Sequence, residues 1–121
     1  VTQRVFRSSK IVASYWRELS FEAAHKLPEH PSVHGHSYRV RLIWSGIIPT
    51  TGQLISEQDA LAACSAVSGL LDHKMLNDIL GDPTCENIAK FILCREEETH
   101  RASRVIVWRP TVGDGAEVCG V

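Results

Sequence analysis

Four of the chain's six histidines fall within one short stretch, 25–36, and three of them, His25, His34 and His36, are spaced to act together. One residue separates His34 from His36. Side chains in a β-strand alternate between faces, so these two project together. A neighbouring strand carrying His25 brings a third imidazole to the same side. Zinc takes nitrogen and sulfur ligands, and catalytic zinc keeps three protein ligands and one open position. The stretch 21–36 therefore reads as the metal centre of an enzyme, with His25, His34 and His36 as ligands. An isolated His-x-His is more often chance on a solvated strand. Against chance stand Gly35 between the two histidines, which allows close backbone approach, and the third histidine across a Pro-containing loop. A further acid–imidazole pair follows at Asp72 and His73. An aspartate beside a histidine fixes its tautomer and raises its basicity. The competing reading is a histidine at a helix C-terminus, stabilised by the dipole.

These residues need a scaffold, and the composition bounds it. The length of 121 residues suits a single domain, 1–121, able to fold without staples. A formal net charge of −1 gives no electrostatic case for nucleic acid or an anionic membrane. Cys64, Cys85, Cys94 and Cys119 are widely spaced, with no Cys-x-x-Cys. They suggest neither a disulfide framework nor a thiolate zinc site, and a reducing, cytoplasmic setting is the expectation. No signal peptide and no run long enough to span a bilayer is read. The expected partner is a small-molecule substrate.

Residues 1–10 are polar and mixed, and are expected to fray or to pair as an edge. Ile11, Val12, Tyr15 and Trp16 predict a strand over 11–20 that runs on into 21–25. Pro28 and Pro31 predict a loop over 26–33. Over 37–45, Val40, Leu42 and Trp44 alternate with Arg39, Arg41 and Ile43, the pattern of a strand. After a turn at 47–52, Ser56 reads as an N-cap, with Glu57 and Asp59 suiting the helix dipole. Ala60, Leu61, Cys64, Val67 and Leu71 predict a helix ending near 69–71. Residues 72–78 read as a loop or short turn. Thr84 is a second candidate N-cap, opening a helix to about 98. A strand at 104–108, a turn at 111–115 and a short strand at 116–119 follow. Two strands, two helices and two strands, with the helices on one face of an antiparallel sheet, make an α+β domain.

At this point the residues resemble a known family. Phe21-Glu22-Ala23-Ala24-His25-Lys26-Leu27-Pro28, His34-Gly35-His36-Ser37-Tyr38, Thr51-Gly52, Leu71-Asp72-His73-Lys74-Met75-Leu76-Asn77-Asp78 and Pro83-Thr84-Cys85-Glu86-Asn87-Ile88-Ala89 occur in order over nearly the whole chain. Jointly they resemble the 6-pyruvoyltetrahydropterin synthase and 6-carboxytetrahydropterin synthase family, of the tunnelling fold. The resemblance implies a ββααββ subunit and a homo-oligomer, a trimer whose sheets close into a barrel or a hexamer of two trimers. It implies active sites between subunits and zinc on His25, His34 and His36. The zinc would bind substrate oxygens and acidify neighbouring carbon-bound protons. It also implies that Asp72 and His73 move protons, and that Thr84 and Glu86 line the substrate pocket as well as cap and charge their helix.

Two positions depart from the family. The family's catalytic cysteine sits four residues before His-Gly-His, where this chain has His30. His30 is a candidate replacement base, an additional metal ligand or a solvated loop residue; Glu29 is a second candidate base. The family's pterin-anchoring glutamate is matched by Arg109, with Glu117 as a shifted alternative. A guanidinium can only donate hydrogen bonds, so it favours a carboxylate or phosphate on the ligand, unless Arg109 is an ordinary solvated strand end. Three functions follow as expectations. The first is a zinc-dependent carbon–oxygen or carbon–carbon lyase, or cyclase, acting on a metabolite other than a standard pterin. The second is a pterin enzyme using dihydroneopterin triphosphate. The third is a non-catalytic, zinc-stabilised ligand-binding scaffold.

Overall fold

The computed structural model describes residues 5–7, 10–95 and 101–120. The chain runs β1 (Ala13–Leu27), β2 (His30–Gly46), α1 (Glu57–Leu71), β3 (Lys74–Met75), a 3-10 turn (Leu76–Asp78), α2 (Cys85–Arg95), β4 (Arg104–Arg109) and β5 (Asp114–Cys119). Its strands form one five-stranded sheet in the order β3-β1-β2-β4-β5. Helix α1 packs on β1, and α2 packs on β4 and β5. Both helices share one hydrophobic core with one face of the sheet. This is the expected α+β architecture.

Alternation along β2 builds that core. Tyr38, Val40 and Leu42 are fully buried, while Arg39 between them is exposed. Phe21 is Tyr38's cross-strand partner on β1. Their rings stack with centroids 4.9 Å apart. Burial of one such side chain stabilises the fold by about 1.5–3 kcal/mol. Helix α1 begins where Ser56 Oγ accepts a hydrogen bond from the Asp59 N–H at 3.1 Å, the expected cap. Ala60, Cys64, Val67 and Leu71 then face inward at helical spacing. Thr84 caps α2 in the same way, accepting from the Asn87 N–H at 3.1 Å. The expected end of α2 near 98 lies outside the described residues, as does most of the expected polar start at 1–10.

The structure corrects three expectations. The loop over 26–33 is a tight hairpin: β1 runs to Leu27 and β2 starts at His30. His30 is therefore a strand residue. Pairing jumps from His25↔His34 to Leu27↔His30, a bulge that holds Pro31. A bulge is one of the few places where a strand tolerates a residue without an N–H. The two prolines therefore mark a turn and a bulge rather than one long loop. The last strand starts earlier than expected, at Asp114.

The third correction concerns the sheet, which is mixed rather than wholly antiparallel. His73 adopts φ 57° after α1, a left-handed turn that non-glycine residues enter at a cost. The chain then lays Lys74 and Met75 parallel to Ala23 and Ala24 of β1. Beyond that short pairing, among the described residues, no strand lies along the outer edge of β1 over 13–22.

Candidate metal centre

The register of the β1–β2 hairpin places the three histidines. His25 and His34 are directly opposed, and Ala23 opposes His36. A cross-strand pair plus the next residue on the same face forms a triangle of side chains. The ligating atoms of His25, His34 and His36 all lie within 4.8 Å of one another. The structure brings together the three residues singled out as metal ligands. Gly35 between two of them is not demanded by space, since a Cβ there would sit 3.6 Å from the Ala23 carbonyl, an ordinary contact.

Backbone carbonyls set the tautomers. His25 Nδ1 is 2.9 Å from the Pro83 carbonyl oxygen, and His34 Nδ1 is 2.8 Å from that of Ser32. A carbonyl only accepts, so each Nδ1 carries the proton and each Nε2 a lone pair. These two bare Nε2 atoms are 3.0 Å apart. At His36, the Arg109 Nη1 donates to Nε2 at 3.3 Å, so this ring also presents a lone pair at Nε2. Three converging lone pairs repel one another; a cation turns that repulsion into ligation. Protonation is the poorer answer. Burial, with the charges of His34 and Arg109, holds His25 below its ordinary pKa. Burial first, then Arg109, does the same for His36. The donor set fits a divalent metal of zinc's preferences, and the ring-to-carbonyl hydrogen bonds are the outer support such ligands usually have.

Asn77 holds the end of β1 in place. Its Oδ1 accepts from the Lys26 N–H at 2.8 Å, and its Nδ2 donates to the Lys26 carbonyl at 3.0 Å. The side-chain amide thus does the work of a paired strand one residue from His25.

Two clefts flank the histidines. One, of about 210 Å³, is lined by His25, Tyr38, Thr84, Cys85, Glu86 and Asp114, among others. The other, of about 560 Å³, is lined by His30, His34 and His36 and their neighbours. Leu27, Glu29 and Arg109 belong to both. The expected pocket residues Thr84, Glu86 and Arg109, and the candidate bases Glu29 and His30, are therefore gathered around the three histidines. His30 is exposed, with its ring centroid 6.3 Å from that of His34. It lies outside the three-histidine group.

Arg109 is not a solvated strand end. Its Nε donates to Asp114 Oδ1 at 2.8 Å and its Nη2 to Oδ2 at 2.5 Å, a bidentate fork. Gly115 makes this pairing possible. A Cβ there would lie 2.6 Å from Trp108 Cβ, so only glycine lets β5 come this close to β4. Asp114 holds the guanidinium charged, and Arg109 in turn holds the Asp114 carboxyl below its ordinary range. Glu117, the shifted alternative, instead pairs with Arg104 at 2.9 Å.

The Asp72–His73 pair forms as expected, His73 Nδ1 to Asp72 Oδ2 at 2.8 Å, with His73 80% exposed. It sits where α1 meets β1: Asp72 Oδ1 accepts from the Glu22 N–H at 2.9 Å, and the His73 N–H donates to the Glu22 carbonyl. His73 and His36 border the same shallow opening. Among the described residues, no hydrogen bond joins His73 to any of the three clustered histidines.

Sequence reading missed Tyr38, Cys85, Asp114 and Asn77. Tyr38 continues the alternating face of His34 and His36, and its hydroxyl lies 3.2 Å from His25 Nδ1. Burial pushes its pKa up, so it remains a phenol. Cys85 is buried beside Arg109, and burial raises its pKa, with Arg109 opposing. Asp114 lies between Gly113 and Gly115, a turn signal that marked the hairpin without revealing its partner.

With this geometry the chain can be compared with known proteins. The family model described as 6-pyruvoyl tetrahydropterin synthase matches residues 14–120. The chain belongs to the 6-pyruvoyl tetrahydropterin synthase family. It is 41% identical over 95 residues to a 6-carboxy-5,6,7,8-tetrahydropterin synthase of Synechocystis sp., covering 69% of this chain and 74% of that protein. It is 38% identical over 78 residues to a dihydroneopterin monophosphate aldolase of Pyrococcus furiosus, covering 60% and 65%. The fold matches the structure of Caenorhabditis elegans 6-pyruvoyl tetrahydropterin synthase with a TM-score of 0.78 at 20% identity, over 97% of this chain and 100% of that one. The tunnelling-fold subunit expected from the sequence is therefore the fold of this family member. No described helix is long and apolar enough to cross a membrane.

Proposed function

We propose that this family member is a zinc-dependent carbon–oxygen or carbon–carbon lyase acting on a small pterin-related metabolite that presents an anionic group to Arg109. The observation that carries this reading is the convergence of three Nε2 lone pairs at the wall between two clefts. A zinc ion held by His25, His34 and His36 supplies Lewis acidity toward a substrate hydroxyl or carbonyl. Thr84, Glu86 and Tyr38 shape the narrower cleft around the substrate. Glu29, on the rim of both clefts, and His30 are the candidates to take the proton that a loop cysteine takes in relatives. Glu29 is better supported, because it reaches both clefts.

His73, oriented by Asp72 and open to solvent, is the second proton carrier, serving a cleft completed by a neighbouring copy in a trimer or hexamer. The names of the relatives, tetrahydropterin synthase and dihydroneopterin monophosphate aldolase, support a reduced-pterin skeleton. A second reading keeps dihydroneopterin triphosphate itself as substrate, favoured by the retained Thr84, Glu86, Asp72 and His73. Zinc-loaded protein offered dihydroneopterin triphosphate and, separately, the monophosphate distinguishes them by mass spectrometry of the products. Release of a pyruvoyl, carboxy or side-chain-cleaved pterin from the triphosphate establishes the second reading. Turnover of neither by metal-replete protein removes the standard substrates and leaves an analogue.

A further inference from the structure

We infer that Arg109 is the group that binds an anionic ligand oxygen sharing the site with the metal, and that Asp114 holds it there. The inference rests on the metal-centre reading above and deepens it: it couples anion binding at Arg109 to ligation by His36 and gives Asp114 the positioning role. Asp114 accepts from the guanidinium Nε and from one N–H of Nη2. Its Nη1 donates to His36 Nε2 at 3.3 Å. That nitrogen is also the lone pair that His36 offers to a metal. When His36 ligates a cation, its lone pair is spent and Nη1 loses its acceptor. The fork to Asp114 prevents the guanidinium from swinging away to water. The Arg109 side chain is half-buried, 18% exposed, and a charged donor so placed gains more from an ionised acceptor than from a neutral one.

The acceptor within reach is the oxygen of whatever takes the remaining coordination position. Nη1 already lies within hydrogen-bond distance of one of the three ligating rings, and Arg109 walls both clefts. Metal and oxyanion are then bound together. The metal takes the His36 acceptor of Nη1, while Asp114 stays on the rest of the guanidinium, and the oxyanion offers Nη1 a charge-assisted bond instead. A ligand that fills the open position without an anionic oxygen receives no such help. The site therefore selects for enolate-, carboxylate- or phosphate-like oxygens over neutral nitrogen donors.

Cobalt-loaded protein, followed through its visible absorption bands, tests this without any turnover. Acetohydroxamate serves as the oxyanion probe and imidazole as the neutral one. The expected result is that R109M binds acetohydroxamate about tenfold or more weakly than the parent. Its imidazole affinity and cobalt stoichiometry are expected to stay unchanged. D114N, which keeps the arginine but loosens its fork, is expected to lose part of the acetohydroxamate affinity and none of the imidazole affinity. If R109M does not fold, R109K replaces it, and a loss confined to acetohydroxamate is again required. Equal acetohydroxamate affinity in the parent and the arginine variant overturns the inference, as does an equal loss for both probes. Failure of the parent to bind cobalt at all overturns the metal-centre reading as well.

Discussion

The three-histidine cluster and the Asp72–His73 pair are both made of imidazoles, yet they are built in opposite ways. The cluster lies near the tip of a long hairpin, with His25 only 1% exposed and His34 and His36 half-buried. Backbone carbonyls fix the tautomers of His25 and His34, Arg109 sets that of His36, and strand register sets the geometry. The pair sits at a helix end on a left-handed residue, His73, that is 80% exposed. What holds it is two hydrogen bonds to the backbone of Glu22, one through the Asp72 carboxylate and one through the His73 N–H. The difference teaches that a single chain assembles the three-histidine triangle completely but only presents the Asp72–His73 pair. The first is a matter of internal packing, the second of what meets it.

The largest effects should separate the two regions. H25A is expected to lower zinc affinity by more than about 100-fold, beyond the range seen when only an outer-shell partner is lost. Metal analysis after dialysis reads this directly. H73A is expected to keep its full zinc content while turnover falls about 10²- to 10⁴-fold, the usual share of a general acid or base. Zinc loss in H73A would erase the contrast. N77A comes next, since Asn77 bridges from the β3 side to the strand that carries His25. It is expected to weaken zinc about tenfold and to cost about 1–2 kcal/mol in denaturant unfolding.

Smaller still is the backbone strain at His73. H73G and H73A should lose turnover alike, but H73G should be about 1 kcal/mol the more stable, because glycine enters the left-handed region freely. Equal stability would show that the φ of 57° carries no strain. The smallest effect is the pH dependence at Asp72. The Glu22 N–H first, and His73 next, hold its carboxyl below the ordinary 3.8. Its contribution to stability is therefore present above about pH 4 and lost as pH falls through the lowered value. D72N should be less stable than the parent at pH 7, with the gap narrowing as pH falls below the ordinary carboxylate range. A gap that stays constant into acid would mean that the carboxylate charge plays no part.

The two regions also differed in how well the sequence announced them. His34 and His36 were legible because a period of two is a local rule, and His25 followed once a paired strand was assumed. The strand over 37–45 and the caps at Ser56 and Thr84 were legible for the same reason. The hairpin tip was not, because proline signals a break without saying whether the break is a turn, a bulge or a loop. Arg109 was seen as a cleft residue, but its partner was hidden. Whether Asp114 answers Arg109 depends on the length of the β4–β5 turn and on the close approach that Gly115 permits. Asn77 escaped notice because a side chain that imitates a strand leaves no periodic trace. Lys74 and Met75 were read as turn because two residues are too few to alternate.

The outer edge of β1 has a further consequence. Over 13–21 it presents a row of backbone donors and acceptors beside no described strand. Such a rim is adhesive and does not discriminate among partners by side chain alone. Handling of the isolated chain, its shelf life and its tendency to form aggregates should be governed by that rim. A preparation with every histidine ligated can still precipitate if the rim is left bare.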